Sequence, residues 1–486
     1  MNTAEKILEQ YKTITMIQYL EQVLDWDCEV NLPSGGYTYR AEQAAWLAGV
    51  VHQKLTEPKF VEDVLSYVPG DNALQNDEIA HIRRIVELEQ KIPEKLRKEK
   101  ARLSAKAGGL WEAAKQSGDD SEFLPILTQI IHLEHEYCKC KGFEKDIYDA
   151  LLDDYDRKLS YSFVEKLFNN LVPQLKELIN NAKEDNGKLR FFADKAKQEK
   201  LSRIVINEIG LDSQRSRLDI STHPFTATLG IGDVRITTNY DENNFTSSMF
   251  STLHEGGHAL YELETQKIFG DSPCASIVSL AQHESQSRFF ENTIGRSRAF
   301  CEYIFPQLKE LFLPEDITPE IFHDSVNSVS YTPIRVDSDE LYYNLHIALR
   351  TKLEHSLIND DLQPKDLSDA WDYEFELLFN KKPESKKDGY LQDVHWSCGL
   401  FGYFPTYTIG NLIAAQLATK INSDTGIFDK VFDKNSIPTV KEWLCKNFYV
   451  YGNRYCTEDL VKKVTGLPLS TDSLIADLKK RYCGER

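Results

Sequence analysis

The chain of 486 residues carries 76 acidic against 57 basic side chains, a formal charge of −19, which repels phosphate backbones and gives no electrostatic basis for binding nucleic acid or anionic membranes. Hydrophobic residues make up 41% and aromatics 11%, and a folded chain of this size removes roughly three quarters of its extended surface from water, enough for a large core and a deep cleft. Length alone leaves the number of domains open.

The N-terminal stretch MNTAEKILEQYKTITMIQYLEQVLDWD lacks a charged-then-apolar signal pattern, and no run of eighteen uncharged apolar residues follows anywhere, so a cytoplasmic protein without a membrane span is expected. Nine cysteines, an odd number scattered over a large chain, fit reduced thiols better than a disulfide framework. After a turn at NLPSGGY (31–37), apolar residues three and four apart predict helices in AAWLAGVVHQKL, FVEKLFNNLVPQLKELI and YYNLHIALRTKLEHSLI. The class is mainly α. In IIHLEHEYCKC, the four residues His132, His135, Cys138 and Cys140 suggest a metal site, but a helix places His132, Glu136 and Cys140 on one face and turns His135 and Cys138 away, so an ordinary helix face is expected. Further breaks fall at EDNGK (184–188), KKPESKKDGY (381–390) and TGLPLSTDS, none of them a long linker. Residues 223–240, HPFTATLGIGDVRITTNY, are rich in β-branched residues around a Gly-Ile-Gly-Asp turn signal, which predicts a small antiparallel hairpin with an edge open to a peptide.

Directly downstream, SSMFSTLHEGGHALYELE contains His-Glu-x-x-His. Residues four apart on a helix rise about 6 Å and share a face, so His254 and His258 can reach one ion at about 2.0 Å. Glu255 then stands where it can take a proton from a water beside the ion without coordinating the ion itself. This composition predicts roughly 0.05 or fewer such matches by chance. Gly256 and Gly257 make the segment a costly helix, by roughly 1 kcal/mol each relative to alanine, which implies a close approach there. A hydrolytic zinc site needs a third protein ligand, and SIVSLAQHESQSRFFENTIG reads as a returning helix that offers His283 or Glu284; spacing does not decide between them. Glu291, one heptad after Glu284, lies near the same face, where it either orients a ligand or is a solvated charge.

Beyond the zinc motif the chain resembles the carboxypeptidase Taq family of metallocarboxypeptidases. The likeness is carried in order by His223-Pro224-Phe225, Asp233-Val-Arg235-Ile-Thr237, the His254–His258 motif, His283-Glu284-Ser285-Gln286, and Gly389-x-x-Gln392-Asp393-x-His395-Trp396. Ile334-Arg335-Val-Asp-Ser338-Asp339 is similar to a sixth family motif, with serine in place of alanine. Stretches at 40–49, 148–155 and 401–416 also look like the family, so the resemblance covers nearly the whole chain.

The resemblance implies a large helical body around a deep groove, with the small antiparallel β element beside the active site. It further implies one domain over 1–486 whose N-terminal helices, about 1–180, form one side of the groove, and a homodimer. The implied activity is metal-dependent release of single residues from peptides with a free C-terminus, using zinc, or cobalt, held by His254, His258 and Glu284. Glu255 is then the base, and His395 and Tyr407 are candidate oxyanion donors. Recognition of a terminal carboxylate calls for a fixed guanidinium; Arg335 is the first choice and Arg235 the second, against structural salt bridges to Asp337 or Asp339 and to Asp233. His223 is expected to line the groove. The segment DWDCEVNLP departs most from the family. A peptidyl-dipeptidase or endopeptidase of similar build would share the metal site but lack a carboxylate anchor close to it.

Overall fold

Four helices open the chain: α1 (Thr3–Val30), α2 (Tyr37–Leu55), α3 (Pro58–Ser66) and α4 (Ala73–Lys91). In the computed structural model, which describes residues 2–277 and 279–484, α1 starts at a reciprocal cap. The Asn2 side chain accepts from the Glu5 N–H, and the Glu5 carboxylate accepts from the Asn2 N–H. Ala4, Ile7, Tyr11 and Ile14, spaced three and four apart, meet Phe60, Val64, Ile79, Ile82 and Val86 in a small core of their own. Trp26 carries α1 onto Ala227 and Leu229, and the ion pairs Lys12–Asp271, Arg84–Asp153 and Arg454–Asp77 tie this arm to the remainder.

The larger body comprises α5 (Glu94–Ser117), α6 (Phe123–Lys141), α7 (Asp149–Tyr155), α8 (Tyr161–Asn181), α9 (Lys195–Glu208), α10 (Phe245–Phe269), α11 (Leu280–Arg288), α12 (Arg298–Leu311), α13 (Pro319–Val326), α14 (Glu340–Ile358), α15 (Leu367–Phe379), α16 (Pro405–Thr425), α17 (Ser436–Asn447), α18 (Thr457–Thr465) and α19 (Asp472–Cys483). Its core runs from Leu103 to Tyr482. The predicted helices fall within α2, α8 and α14. On α6 the His135 Nε2 lies 2.9 Å from the Ile358 carbonyl and Cys138 is buried, as an ordinary helix face requires.

The predicted hairpin is β2 (Thr226–Gly230) and β3 (Asp233–Thr238), antiparallel, joined through Gly232 at φ +78°. The sheet holds one strand more than expected. β1 (Ser216–Ile220) pairs parallel with β3, which gives a mixed sheet in the order β1-β3-β2. Its sequence, SRLDI, is short and carries two charged residues in five, and no turn links it to the strand it pairs with, so neither pattern nor turn signals it.

Packing explains the two glycines of the histidine motif. A Cβ on Gly256 would lie 2.3 Å from Ile209 Cδ1, and one on Gly257 would lie 2.4 Å from the Gln286 carbonyl oxygen. The close approach implied by the sequence is therefore made by α9 and α11 of the protein itself. α16 presses on α11 in the same way, for a Cβ on Gly410 would stand 2.8 Å from Glu284 Cγ. Gly257→Ala meets backbone, which cannot give locally, and is expected to cost about 1–3 kcal/mol of stability. Gly49→Ala, in the exposed middle of α2 with nothing within 4 Å, is expected to gain up to about 1 kcal/mol. Urea unfolding of both variants checks the opposite signs.

Candidate metal and substrate cleft

α10 and α11 cross so that His254, His258 and Glu284 converge, with one ligand atom from each within 4.8 Å of the others. Glu284 Oε2 is 3.7 Å from His254 Nε2 and 3.4 Å from His258 Nε2. Four ligands at about 2.0–2.1 Å from a tetrahedral ion stand about 3.3 Å apart, so the three groups need only small movements to hold one. Two imidazoles and a carboxylate are a donor set suited to zinc and its neighbours. Burial, with His283 adding to it, pushes the His258 imidazole down to about 3 and so keeps its lone pair free. Burial alone would raise the Glu284 carboxyl, yet Arg288 and His254 hold it well below the usual carboxylate range.

The surrounding shell orients these groups. α11 passes into a π-helical turn at Phe289–Ile294, and Glu291 within it meets His254 Nδ1 at 2.8 Å. Of the two readings of Glu291, the geometry matches the orienting one. Arg288, one helical turn after Glu284, donates to Glu284 at 2.6 Å and to Glu291 at 3.3 Å. His283 stands outside the group: its ring stacks on His258 at 3.9 Å, and its Nε2 pairs with Glu262 at 2.8 Å. The edge strand supplies Thr226, whose hydroxyl donates to Glu255 Oε2 at 2.6 Å and fixes that carboxylate beside the cluster.

These residues open onto a cleft of about 980 Å³ whose lining, from Asp185 to Tyr407, includes His223, His254, Glu255, Glu284, Arg335 and Tyr407. The lining residues all lie beyond the N-terminal helices of about 1–180. Arg335 is buried, and its partner is Asp393, reached by Nε at 3.0 Å and Nη2 at 2.8 Å. The expected alternatives are otherwise placed. Asp339 caps α14, accepting from the N–H groups of Leu341 and Tyr342, so its short link to Arg335 brings no ion pair.

Asp393 is shared. Its second oxygen accepts from Arg350 Nε at 2.6 Å, and both guanidiniums are buried. Two cations thus face one carboxylate, and together they hold Asp393 far below its usual range in spite of burial. His395 sits next to them outside the cleft lining, pushed down to about 4 by burial and by the two arginines against Asp393. Its Nε2 is 3.4 Å from the Tyr407 hydroxyl. Arg235 is placed elsewhere: it pairs with Asp233 at 3.0 Å and covers the Trp26 ring at 4.3 Å, away from the cleft lining. That arrangement is the structural salt bridge weighed as the alternative to an anchoring role.

Sequence reasoning passed over Arg288, Thr226, Tyr343 and Arg350. Arg288 follows Glu284 by four residues on a helix, a spacing that signals an ion pair; the other three reach the site only through tertiary contacts.

The comparisons with known proteins agree with this geometry. Residues 6–482 match the model of the family described as carboxypeptidase Taq (M32) metallopeptidase. The chain belongs to that family. It is 37% identical to thermostable carboxypeptidase 1 of Pyrococcus furiosus, covering 99% of this chain and 98% of the relative. It is 36% identical to the Thermus thermophilus protein of the same name, covering 98% of each. Among solved structures, a Pyrococcus furiosus carboxypeptidase, Apo-Mg, aligns with a TM-score of 0.94 at 36% identity over 99% of both chains. An M32 carboxypeptidase from Deinococcus radiodurans aligns at 0.95 and 30% identity, again over 99% of both. This M32 chain is accordingly a hydrolase of the metallocarboxypeptidase class.

Loss of a carboxylate behind a ligating histidine typically weakens metal binding 10–100-fold. Glu291→Gln is expected to lower metal affinity by about that factor while the fold is retained. Competition with a chromophoric chelator measures it.

Proposed function

We propose that the cleft removes single residues from the free C-termini of peptides, with zinc held by His254, His258 and Glu284. The observation that carries this reading is buried Arg335, which lines the same cleft as the histidine and glutamate cluster and shares Asp393 with a second buried arginine, Arg350. A buried surplus of positive charge is costly unless an anion joins it, and a peptide's terminal carboxylate is an anion that a guanidinium binds through paired hydrogen bonds. Arg335, which lines the cleft, is the group that receives it.

A bound divalent ion supplies Lewis acidity to the scissile carbonyl and to the attacking water. Glu255 takes a proton from that water and passes it to the leaving amine, and the Thr226 hydroxyl holds the carboxylate in place for both transfers. Tyr407, lining the cleft, donates a hydrogen bond to the developing oxyanion, with His395 at its hydroxyl as a neutral partner. His223, on the loop that enters β2, lines the route of the peptide.

The donor set also accepts cobalt. We assign one domain to 1–486, a homodimer and a cytoplasmic location. The domain and the homodimer are supported by likeness to the family along the whole chain, and the location by an odd number of cysteines, nine, scattered over the chain, three of them buried. No described helix is long and apolar enough to cross a membrane.

A blocked dipeptide with a free C-terminus, run beside its amide, with chelator and with zinc restored, tests the reading. Metal-dependent cleavage of the acid alone is expected; cleavage of neither points to a longer-substrate endopeptidase. Glu255→Gln is expected to lower kcat by about 10²–10⁴-fold. Arg335→Ala is expected to lower kcat/KM on the acid by about 10²-fold or more, the scale for truncating one partner of a buried charge pair, and far less on longer amidated peptides. Equal losses on both would remove Arg335 from carboxylate recognition.

A further inference from the structure

We propose that Tyr343 is a spacer that fixes the distance between the substrate anchor and the metal ligands, and thereby sets the length of the released fragment at one residue; this rests on Arg335 being the anchor. An exopeptidase of this kind needs a ruler. Each residue adds about 3.3–3.6 Å to an extended peptide, so an anchor free to retreat by that distance would admit a dipeptide beyond the scissile bond. Nothing in the cluster or in the Arg335–Asp393 pair by itself fixes how far one stands from the other.

The side chain between them is Tyr343. It belongs to the first turn of α14, its N–H bonds the Asp339 carbonyl at 2.8 Å, and Asp339 itself caps the helix, so the backbone under the ring is firmly set. The ring is buried, lines the cleft and touches both ends. On the anchor side the Tyr343 hydroxyl accepts from Arg335 Nη1 at 2.9 Å, and the Arg335 guanidinium lies 5.6 Å from the ring centroid. On the metal side the Arg288 guanidinium stands 4.7 Å from the same centroid, and Arg288 is bonded to Glu284 at 2.6 Å. An unbroken line of contacts, Glu284 to Arg288 to Tyr343 to Arg335, thus spans from ligand to anchor. Two cations on one aromatic ring keep it between them, and the edge-on ring of Tyr407, with centroids 6.0 Å apart, limits rotation. Tyrosine suits this place because its ring is rigid and its hydroxyl reaches a donor that would otherwise be left unmatched.

Two variants in the full-length, metal-loaded protein test the inference on blocked pentapeptides and their amides, with products identified by mass spectrometry and metal affinity measured by chelator competition. Tyr343→Phe keeps the ring and deletes the acceptor. KM for free-acid peptides is expected to rise roughly ten-fold, the scale for a hydrogen bond from a charged donor, with kcat falling far less and metal affinity within about three-fold of the parent. Tyr343→Leu removes the spacer and is expected to yield dipeptides beside single residues. If Tyr343→Leu is too unstable to assay, the KM against kcat split of Tyr343→Phe decides.

Release of single residues only by Tyr343→Leu, with KM unmoved in Tyr343→Phe, would overturn the inference while Arg335→Ala still separates acid from amide. A loss of metal affinity in Tyr343→Phe would likewise overturn it, since the residue would then be scaffolding for the ligands. Failure of Arg335→Ala to separate acid from amide would remove the anchor, and the spacer with it.

Discussion

The cleft depends on a contact between two helix backbones. At Gly257, α10 passes so close to the Gln286 carbonyl of α11 that no side-chain carbon fits between them, and the imidazoles on one helix come within 3.4 and 3.7 Å of the carboxylate on the other. Metal sites tolerate deviations of only about 0.2 Å in their bonds, whereas helices whose side chains interlock lie 8–10 Å apart and shift by whole ångströms as those side chains change. Bare backbone at the crossing removes that freedom. Gly410 repeats the arrangement from the other side, bringing α16 against the aliphatic part of Glu284, so the third member of the group is clamped between two helices.

From this frame the cleft acquires two ends of opposite sign. Around the histidines, the three carboxylates of Glu255, Glu284 and Glu291 face the two guanidiniums of Arg288 and Arg296, a set that a divalent cation can join. At the far wall Arg335 and Arg350 outnumber Asp393, a surplus of positive charge that favours an anion. Unpaired charge of either sign is costly inside a protein; a divalent ion would relieve the first imbalance and the proposed terminal carboxylate the second. Arg288 and Tyr343 stand where the two fields meet.

Much of this was legible from the chain, and the limits are instructive. Helical periodicity located α8 and α14, which bury apolar side chains along their length, and also α2, although only Leu55 of that helix is buried, and the Gly-Ile-Gly-Asp turn announced β2 and β3. β1 escaped because its parallel pairing with β3 leaves no local trace. The histidine motif declared itself because both side chains sit on one turn-spaced face of one helix, whereas spacing narrowed the third ligand only to His283 or Glu284 and it was the family resemblance that pointed to Glu284. Which aspartate meets Arg335 could not be read at all. The neighbours in sequence, Asp337 and Asp339, were the natural candidates, yet the partner lies 58 positions away at Asp393, since a cap needs Asp339 more than a salt bridge does. Side-chain chemistry nominates participants; tertiary contacts choose among them.

The N-terminal arm raises a different consequence. It has its own small core and meets the body through the Trp26 patch and ion pairs that include Lys12–Asp271, Arg84–Asp153, Arg454–Asp77 and the less exposed Arg97–Glu89. Exposed pairs of this kind contribute little and are screened by dissolved ions over about 10 Å at 0.1 M, while the buried arginine and aspartate network is hardly screened at all. Ionic strength therefore acts unevenly on the molecule: dissolved ions screen the exposed pairs along the seam of α1 to α4 far more than the buried pairs of the cleft. The protein's response to its solvent is concentrated at a joint whose Trp26 patch rests on β2, the strand that also carries Thr226.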